Sequence, residues 1–353
     1  MTRILALLIL LTLPVPARAD ADAILRELLA RYAAPGGVLL VSSADRRDLA
    51  AAGIADLRSK RPVTAQTRFH VASVGKMLTA VAVLRLVQEG RVALGDPAAA
   101  LVGHPAAARL TNLEGATLAD LLAHRSGVPD CLRNSAPVPA VHPGPRWTAE
   151  EVIQSAPCRK PTPPGAYAYS NTNYILLGRI LERIEGKPFA ETLAERVLRP
   201  AGMADTSVGA DPNDSGVARG YRRPDARGVR SDASTVAYAS PLGDAPVTTT
   251  AADLEQFADA LFRSQGALLA PDLVREMVTD RAGEDTDEGY GYGIVVEDSD
   301  WGPRWGHAGR YAGFRAEFWY FPERDTLLVL MMNGDENTDD DVGALIAARV
   351  FGR

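Results

Sequence analysis

A serine and a lysine three residues apart, Ser73 and Lys76, stand where the chain enters a long apolar run. On a helix this spacing places both side chains on one face of the first turn. A hydroxyl beside an amine is a nucleophile beside a base, provided the amine can lose its proton. Residues 77–88 are rich in helix formers and carry charge only at Arg85, which predicts a buried helix behind the pair. The free N–H groups and positive dipole end at its start favour an anion developing near Ser73. Lys76 is the only charge between Arg68 and Arg85, so partial desolvation is expected to lower its pKa toward that of a usable base. Of the 38 basic residues only Lys60, Lys76, Lys160 and Lys187 are lysines, and an arginine could not release a proton here. Taken alone, S-x-x-K is also an ordinary helix start followed by a solvated lysine.

Three further segments carry chemistry. Tyr169 and Asn171 follow the turn Pro163-Pro164-Gly165 and set a phenol and an amide at the mouth of a helix; an N-cap with aromatic packing is the alternative. Trp305-Gly306-His307-Ala308-Gly309-Arg310 precedes a strand, and glycines at an exposed strand edge let a substrate backbone come close. Residues 121–128 end a helix at Gly127, and there His124 reads better as a structural residue than a functional one.

The elements that must position these groups follow from periodicity. Residues 22–32 predict a helix, Pro35-Gly36-Gly37 breaks it, and 38–42 and 49–54 predict a hairpin with a longer loop over 43–47. From about residue 94 to 244, helical pieces at 117–124, 148–155, 174–184 and 188–197 alternate with loops rich in Pro, Gly and Asp. A helix at 252–262, strands at 292–296, 316–321 and 326–332, and a last helix at 342–350 complete the chain. The acids Asp339-Asp340-Asp341 suit the last helix's N-terminus, and their spacing does not fit a calcium loop. The pattern is an α+β fold: an antiparallel sheet built from both ends of the chain, flanked by N- and C-terminal helices, with an inserted, mostly helical lobe. The expected sheet-containing lobe comprises 20–95 and 245–353, and the helical lobe 96–244. A cleft between them is the natural substrate site.

Residues 1–19 read as an export signal cut after Ala19, so the protein is expected to be secreted or periplasmic. The apolar run 4–13 is too short to span a bilayer, which argues against a stable membrane anchor. In an oxidising compartment the only two cysteines, Cys131 and Cys158, read first as a disulfide around 26 intervening residues. Two free thiols or half of a metal site are the alternatives, and no histidine lies at ligand spacing to support the metal. The formal charge is −6, and loss of Arg3 and Arg18 with the leader takes it to −8. With no basic-aromatic stripe, nucleic acid is not an expected partner. The arginines at 219, 222, 223, 227 and 230 read as a solvated loop.

Taken in order, these segments resemble the penicillin-recognising serine hydrolases, the group of class C β-lactamases, D-alanyl-D-alanine carboxypeptidases, D-aminopeptidases and related esterases. Ser73 to Lys76 resembles the group's S-x-x-K motif, Tyr169-Ser170-Asn171 its Y-x-N, and His307-Ala308-Gly309 its K-T-G or H-x-G. Residues 121–128 resemble its L-L-x-H-x-S-G stretch and 318–322 its late strand, so the likeness spans about 25–350. The resemblance implies a β-lactamase/transpeptidase-like fold and no cofactor or metal. It also implies a Ser73 acyl-enzyme, with Lys76 and Tyr169 sharing general-base and proton-shuttle duties in an order left open. Asn171 would hold Lys76 and the substrate amide, and the N–H groups of Ser73 and Arg310 the oxyanion. His307 and Gly309 would border the substrate. His307 stands where class C β-lactamases carry lysine, and a neutral imidazole holds a carboxylate poorly. The implied activity is hydrolysis of small-molecule or peptide amides or esters, including cell-wall peptides or β-lactams, with a D-alanyl-D-alanine carboxypeptidase or β-lactamase-like peptidase expected first. A family esterase is the alternative, and so is a non-catalytic sensor of β-lactams or cell-wall fragments.

Overall fold

Alternating apolar residues on the central strands face two different helical layers, and this arrangement builds the core. The computed structural model describes residues 20–352 except 104–109, 133–157, 210–213, 235–241, 246, 265, 285, 287, 312 and 335–339. The expected leader and the helix expected at 148–155 lie outside the described residues. In chain order the elements are α1 (Ala21–Arg31), β1 (Gly36–Ser43), β2 (Arg46–Asp56), β3 (Arg61–Pro62), β4 (Phe69–His70), α2 (Gly75–Gln88), α3 (Ala98–Val102), α4 (Leu118–Leu122), α5 (Asn171–Glu185) and α6 (Phe189–Leu193). Then come β5 (Ser207–Val208), β6 (Val247–Thr249), α7 (Ala251–Ala258), α8 (Pro271–Met277), β7 (Val295–Ser299), β8 (Gly302–Tyr311), β9 (Phe314–Phe321), β10 (Thr326–Met332) and α9 (Val342–Phe351).

Seven strands form one sheet in the order β3-β2-β1-β10-β9-β8-β7. β1 and β10 pair antiparallel at its centre, with Leu39 opposite Leu330, so both ends of the chain share one sheet as expected. Leu39 and Val41 face a layer with Ile24, Leu25 and Leu28 of α1 and Ile346 of α9. Val38 and Leu40 face the opposite way, onto a layer with α2 and Phe257 of α7. Each such side chain, fully removed from water, contributes roughly 1.5–3 kcal/mol. α2 is buried on nearly every side, which explains its lack of a polar stripe. A short sheet, β4-β6-β5, lies beside the start of α2.

Three local expectations are corrected. The first hairpin closes tightly, because Ser43 pairs with Arg46 and leaves only Ala44 and Asp45 in the turn, where the Ser43 hydroxyl donates to Asp45 at 2.7 Å. The strand expected at 292–296 begins only at Val295. Tyr292 instead donates its N–H to the Met277 carbonyl, Gly293 donates to the Leu122 carbonyl, and Gly293 has a left-handed φ of +75°. The run around His307, read as flanking a strand, is itself a ten-residue interior strand, β8, whose glycines and proline masked its strand pattern.

Candidate active site

Ser73 sits on a single 3₁₀ turn, Ala72–Val74, and α2 begins behind it at Gly75. The helical register expected from the sequence therefore starts two residues after the serine. The turn is strained at Ala72, whose φ of +48° lies in the left-handed region. The imidazole of His70 holds it, because His70 Nδ1 accepts the Ala72 N–H at 3.2 Å. Burial lowers the His70 pKa to about 4, so the ring stays neutral and able to accept.

Lys76 is fully buried one helical turn behind the serine. Its ammonium nitrogen donates to Ser73 Oγ at 3.1 Å, Asn171 Oδ1 at 2.9 Å and the Asp244 backbone carbonyl at 2.7 Å. The rings of Tyr169 and Tyr174 flank it at 5.0 and 5.7 Å. Burial lowers its pKa to about 8, although the carboxylates of Asp244 and Asp130 pull the other way. Desolvation is thus complete rather than partial. Burial favours the neutral amine, so the proton leaves at a lower pH than from an exposed lysine. Wherever neutral Lys76 is required, kcat/KM is expected to rise with pH and level off above about 8, falling about tenfold per unit below it. A rate–pH profile on an uncharged ester measures this; a flat profile between pH 6 and 9 contradicts it.

Asn171 opens α5 and is held at both ends, accepting from Lys76 and donating through Nδ2 to Asp130 Oδ2 at 3.3 Å. Nδ2 carries a second proton, which remains to be offered to a substrate carbonyl. Tyr169 stands beside Ser73, and burial raises its phenol well above the ordinary value, with the Ser73 hydroxyl a smaller opposing influence. Its hydroxyl makes no hydrogen bond of normal geometry among the described residues. The phenol therefore starts protonated. Beneath it lies His124, its ring centroid 4.3 Å from that of Tyr169. His124 Nδ1 accepts the Ser170 N–H at 3.2 Å and contacts Asn173 Nδ2 at 3.2 Å. The imidazole is thus a buried support for the tyrosine loop.

β8 supplies the opposite wall. β7 pairs with it only as far as Gly306, so residues from His307 onward run past β7 and meet the Ser73 turn. A Cβ added at Gly309 would lie 2.3 Å from the Val71 carbonyl oxygen and 3.2 Å from the Ser73 nitrogen. Only glycine lets the strand come so close to Ser73. Ser73, Tyr169, Asn171 and Arg310 line one cavity of about 60 Å³ together with Asp244 and Tyr311. Lys76 lies against it through its bonds to Ser73 and Asn171.

His307 packs beside Tyr169, their ring centroids 6.1 Å apart. Its Nδ1 donates to the Ala308 carbonyl at 2.6 Å and its Nε2 accepts from the Tyr290 hydroxyl at 3.2 Å. Burial first, then the Lys76 charge, lowers its pKa to about 3. With both nitrogens engaged and no charge, it offers a substrate carboxylate nothing. It also lines a polar cavity of about 230 Å³ that shares Arg310 with the Ser73 cavity.

Sequence reading missed Asp130, Asp244, Tyr290 and Tyr311, because none sits in a spacing pattern with Ser73. Cys131 and Cys158 form a disulfide, and it anchors the segment that bears Asp130. Among the described residues no group of His, Cys, Asp and Glu is arranged to hold a metal ion. Arg222, Arg223 and Arg227 are exposed, as expected of a solvated loop, whereas Arg219 is half-buried and pairs with Asp232.

The chain is similar over most of its length to known proteins. The chain is 26% identical over 330 residues to a D-aminopeptidase of Brucella canis, an alignment covering 90% of this chain and 60% of that protein. The chain thus spans only about 60% of the length of the curated relatives it matches. Among solved structures, a penicillin-binding protein from Bacillus halodurans superposes with a TM-score of 0.78 at 25% identity, covering 92% of this chain and 98% of that one. The D-amino acid amidase of Ochrobactrum anthropi SV3, complexed with L-phenylalanine amide, gives 0.78 at 26% identity, covering 94% and 96%. The Beta-lactamase family model matches residues 21–352, and the chain belongs to that family.

Proposed function

We propose that this protein is a serine amidohydrolase that works through an acyl-enzyme on Ser73. The observation that carries the reading is the buried Lys76 amine, shared between Ser73 Oγ and Asn171 Oδ1. In the neutral state Lys76 accepts the Ser73 proton while Oγ bonds to the substrate carbonyl carbon. Backbone N–H groups of Ser73 and Arg310 receive the oxyanion. The carbonyl–nitrogen bond then breaks, and the leaving amine takes its proton from Lys76 through the Tyr169 hydroxyl. Water repeats the sequence, breaking the Oγ–carbonyl bond and returning the proton to Ser73. Tyr169, held as a neutral phenol, serves as the relay rather than as the first base.

The substrates that fit best are amides of D-amino acids and peptides with an N-terminal D-residue. The relatives named D-aminopeptidase, D-amino acid amidase and D-stereospecific amidohydrolase support this choice. The uncharged His307 disfavours substrates gripped by a carboxylate, such as D-alanyl-D-alanine peptides and β-lactams. We read the protein as exported, on the leader pattern of residues 1–19 and the disulfide. N-terminal sequencing of the mature chain checks the cut after Ala19.

The function is tested by a burst assay with an activated ester, alongside mass spectrometry of the trapped acyl-enzyme. The native protein should gain one acyl group on Ser73, and Ser73→Ala none. Turnover of D-amino acid amides that survives intact in Ser73→Ala would overturn the reading.

A further inference from the structure

Among the described residues Asp244 is the one carboxylate that lines the Ser73 cavity, and it keeps one oxygen free of hydrogen bonds while the Asp244 and Ala245 N–H groups hold the carboxylate. Its side chain is 3% exposed, and its Oδ1 makes no hydrogen bond among the described residues. The loop bearing it is tightly held. Thr79 Oγ1 donates to the Gly243 carbonyl at 2.7 Å, and Lys76 donates to the Asp244 carbonyl at 2.7 Å. A Cβ at Gly243 would lie 2.2 Å from the Tyr174 carbonyl oxygen, so the loop is wedged between α2 and α5 with no room to withdraw.

The Lys76 charge attracts the Asp244 carboxylate, but the lysine's hydrogen bond goes to the Asp244 backbone and not to its side chain. The second buried acid is already engaged: Asp130 accepts from Asn171 Nδ2 at 3.3 Å and from the Leu132 N–H at 3.1 Å, with Arg159 nearby. Tyr311 also lines the cavity, and its hydroxyl likewise lacks a partner among the described residues. A buried carboxylate is costly unless paired, and its best partner is a cation that donates hydrogen bonds. Arg310 also lines the cavity but is exposed at its rim.

We infer that Asp244, seconded by the Tyr311 oxygen, receives the α-ammonium group of the substrate, so that the enzyme selects amides bearing a free N-terminal amine. An ammonium has three donors and can meet both oxygens while its carbonyl faces Ser73. Because Lys76 touches both Ser73 Oγ and the Asp244 backbone, the amine and carbonyl of a single amino acid can reach the two sites together. This inference rests on the amidohydrolase reading above and specifies its substrate.

The test compares kcat/KM for D-phenylalanine amide with that for 3-phenylpropanamide, which differs only in lacking the amine. A burst with p-nitrophenyl acetate counts competent Ser73 in each preparation. The native enzyme should prefer the amine-bearing amide by roughly 10²–10⁴-fold. In Asp244→Asn the preference should shrink to within about tenfold, judged per competent Ser73. A native enzyme that acetylates in the burst yet treats both amides alike overturns the inference while leaving the amidohydrolase reading intact. An unchanged preference in a folded Asp244→Asn overturns it too. No burst in the native enzyme sinks the parent reading, and this one with it. The native comparison needs no variant, so misfolding of Asp244→Asn cannot shield the idea.

Discussion

Lys76→Met is expected to lower kcat by roughly 10²–10⁴-fold, the usual loss on removing a general base. Methionine matches lysine's length and suits an apolar helix, so α2 keeps its packing. It leaves Asn171 Oδ1 and the Asp244 carbonyl without their shared donor, each costing about 1–3 kcal/mol. The melting temperature should therefore drop by several degrees without loss of the fold. Lys76→Arg is the sharper variant, because it keeps the positive charge but cannot release a proton. If the amine acts as a base, Arg should lose as much activity as Met. Arg activity within tenfold of native would transfer the base role to Tyr169 and reduce Lys76 to an electrostatic support. Stopped-flow acylation rates at pH 8.5 separate these outcomes, since most native Lys76 is then neutral.

Gly309→Ala should disable the enzyme from the other side of the site. The new methyl group would stand 2.3 Å from the Val71 carbonyl and 3.2 Å from Ala72 Cβ. Both contacts are with the strained turn that presents Ser73, so either β8 or that turn must shift. Overpacking of this kind costs about 1–3 kcal/mol of stability. The larger effect is on rate, because the shift parts the Ser73 N–H from the Arg310 N–H on β8. Misplacing reacting groups by about 1 Å costs on the order of 10²-fold. The expected signature is a fall in kcat of about that size with a smaller change in KM. Gly95→Ala is the control, because its Cβ would meet nothing within 4 Å. If Gly309→Ala retains native kcat, β8 does not set the oxyanion geometry.

The proposed nucleophile and base were legible in the sequence because both lie within one helical turn of an apolar segment. The same local logic recovered the helices α1, α5 and α9 and, from their apolar runs, the strands β1, β9 and β10. It failed at β8, where Pro303, Gly302, Gly306 and Gly309 are poor strand formers; packing against β9, with His307 opposite Phe318, outweighs local propensity there. It also read the first hairpin as too open, since the Ser43–Asp45 hydrogen bond that closes the turn does not belong to the usual Asn-Gly signature. His307 was recognised in its motif, but its neutrality and its engagement with Tyr290 depend on burial that no spacing reveals.

Asp244 marks the boundary between what the sequence determined and what the tertiary structure decided. The sequence by itself specified a Ser73–Lys76 pair at the head of a buried helix, the Tyr169 and Asn171 that accompany it, and a sheet made from both ends of the chain. The pair and the sheet follow from periodicity and apolar patterning, which act over a few residues, and Tyr169 and Asn171 were tied to Ser73 by the resemblance of their motif. Only the tertiary structure brought the Asp244 carbonyl, 168 residues along the chain, to 2.7 Å from Lys76 and left Asp244 Oδ1 buried beside a cavity, without a hydrogen bond among the described residues. The reaction is written in local spacing, because one helical turn suffices to join a nucleophile to its base. The proposed choice of substrate rests on the loop wedged between α2 and α5, because burial of a charge has no meaning until the chain has folded around it.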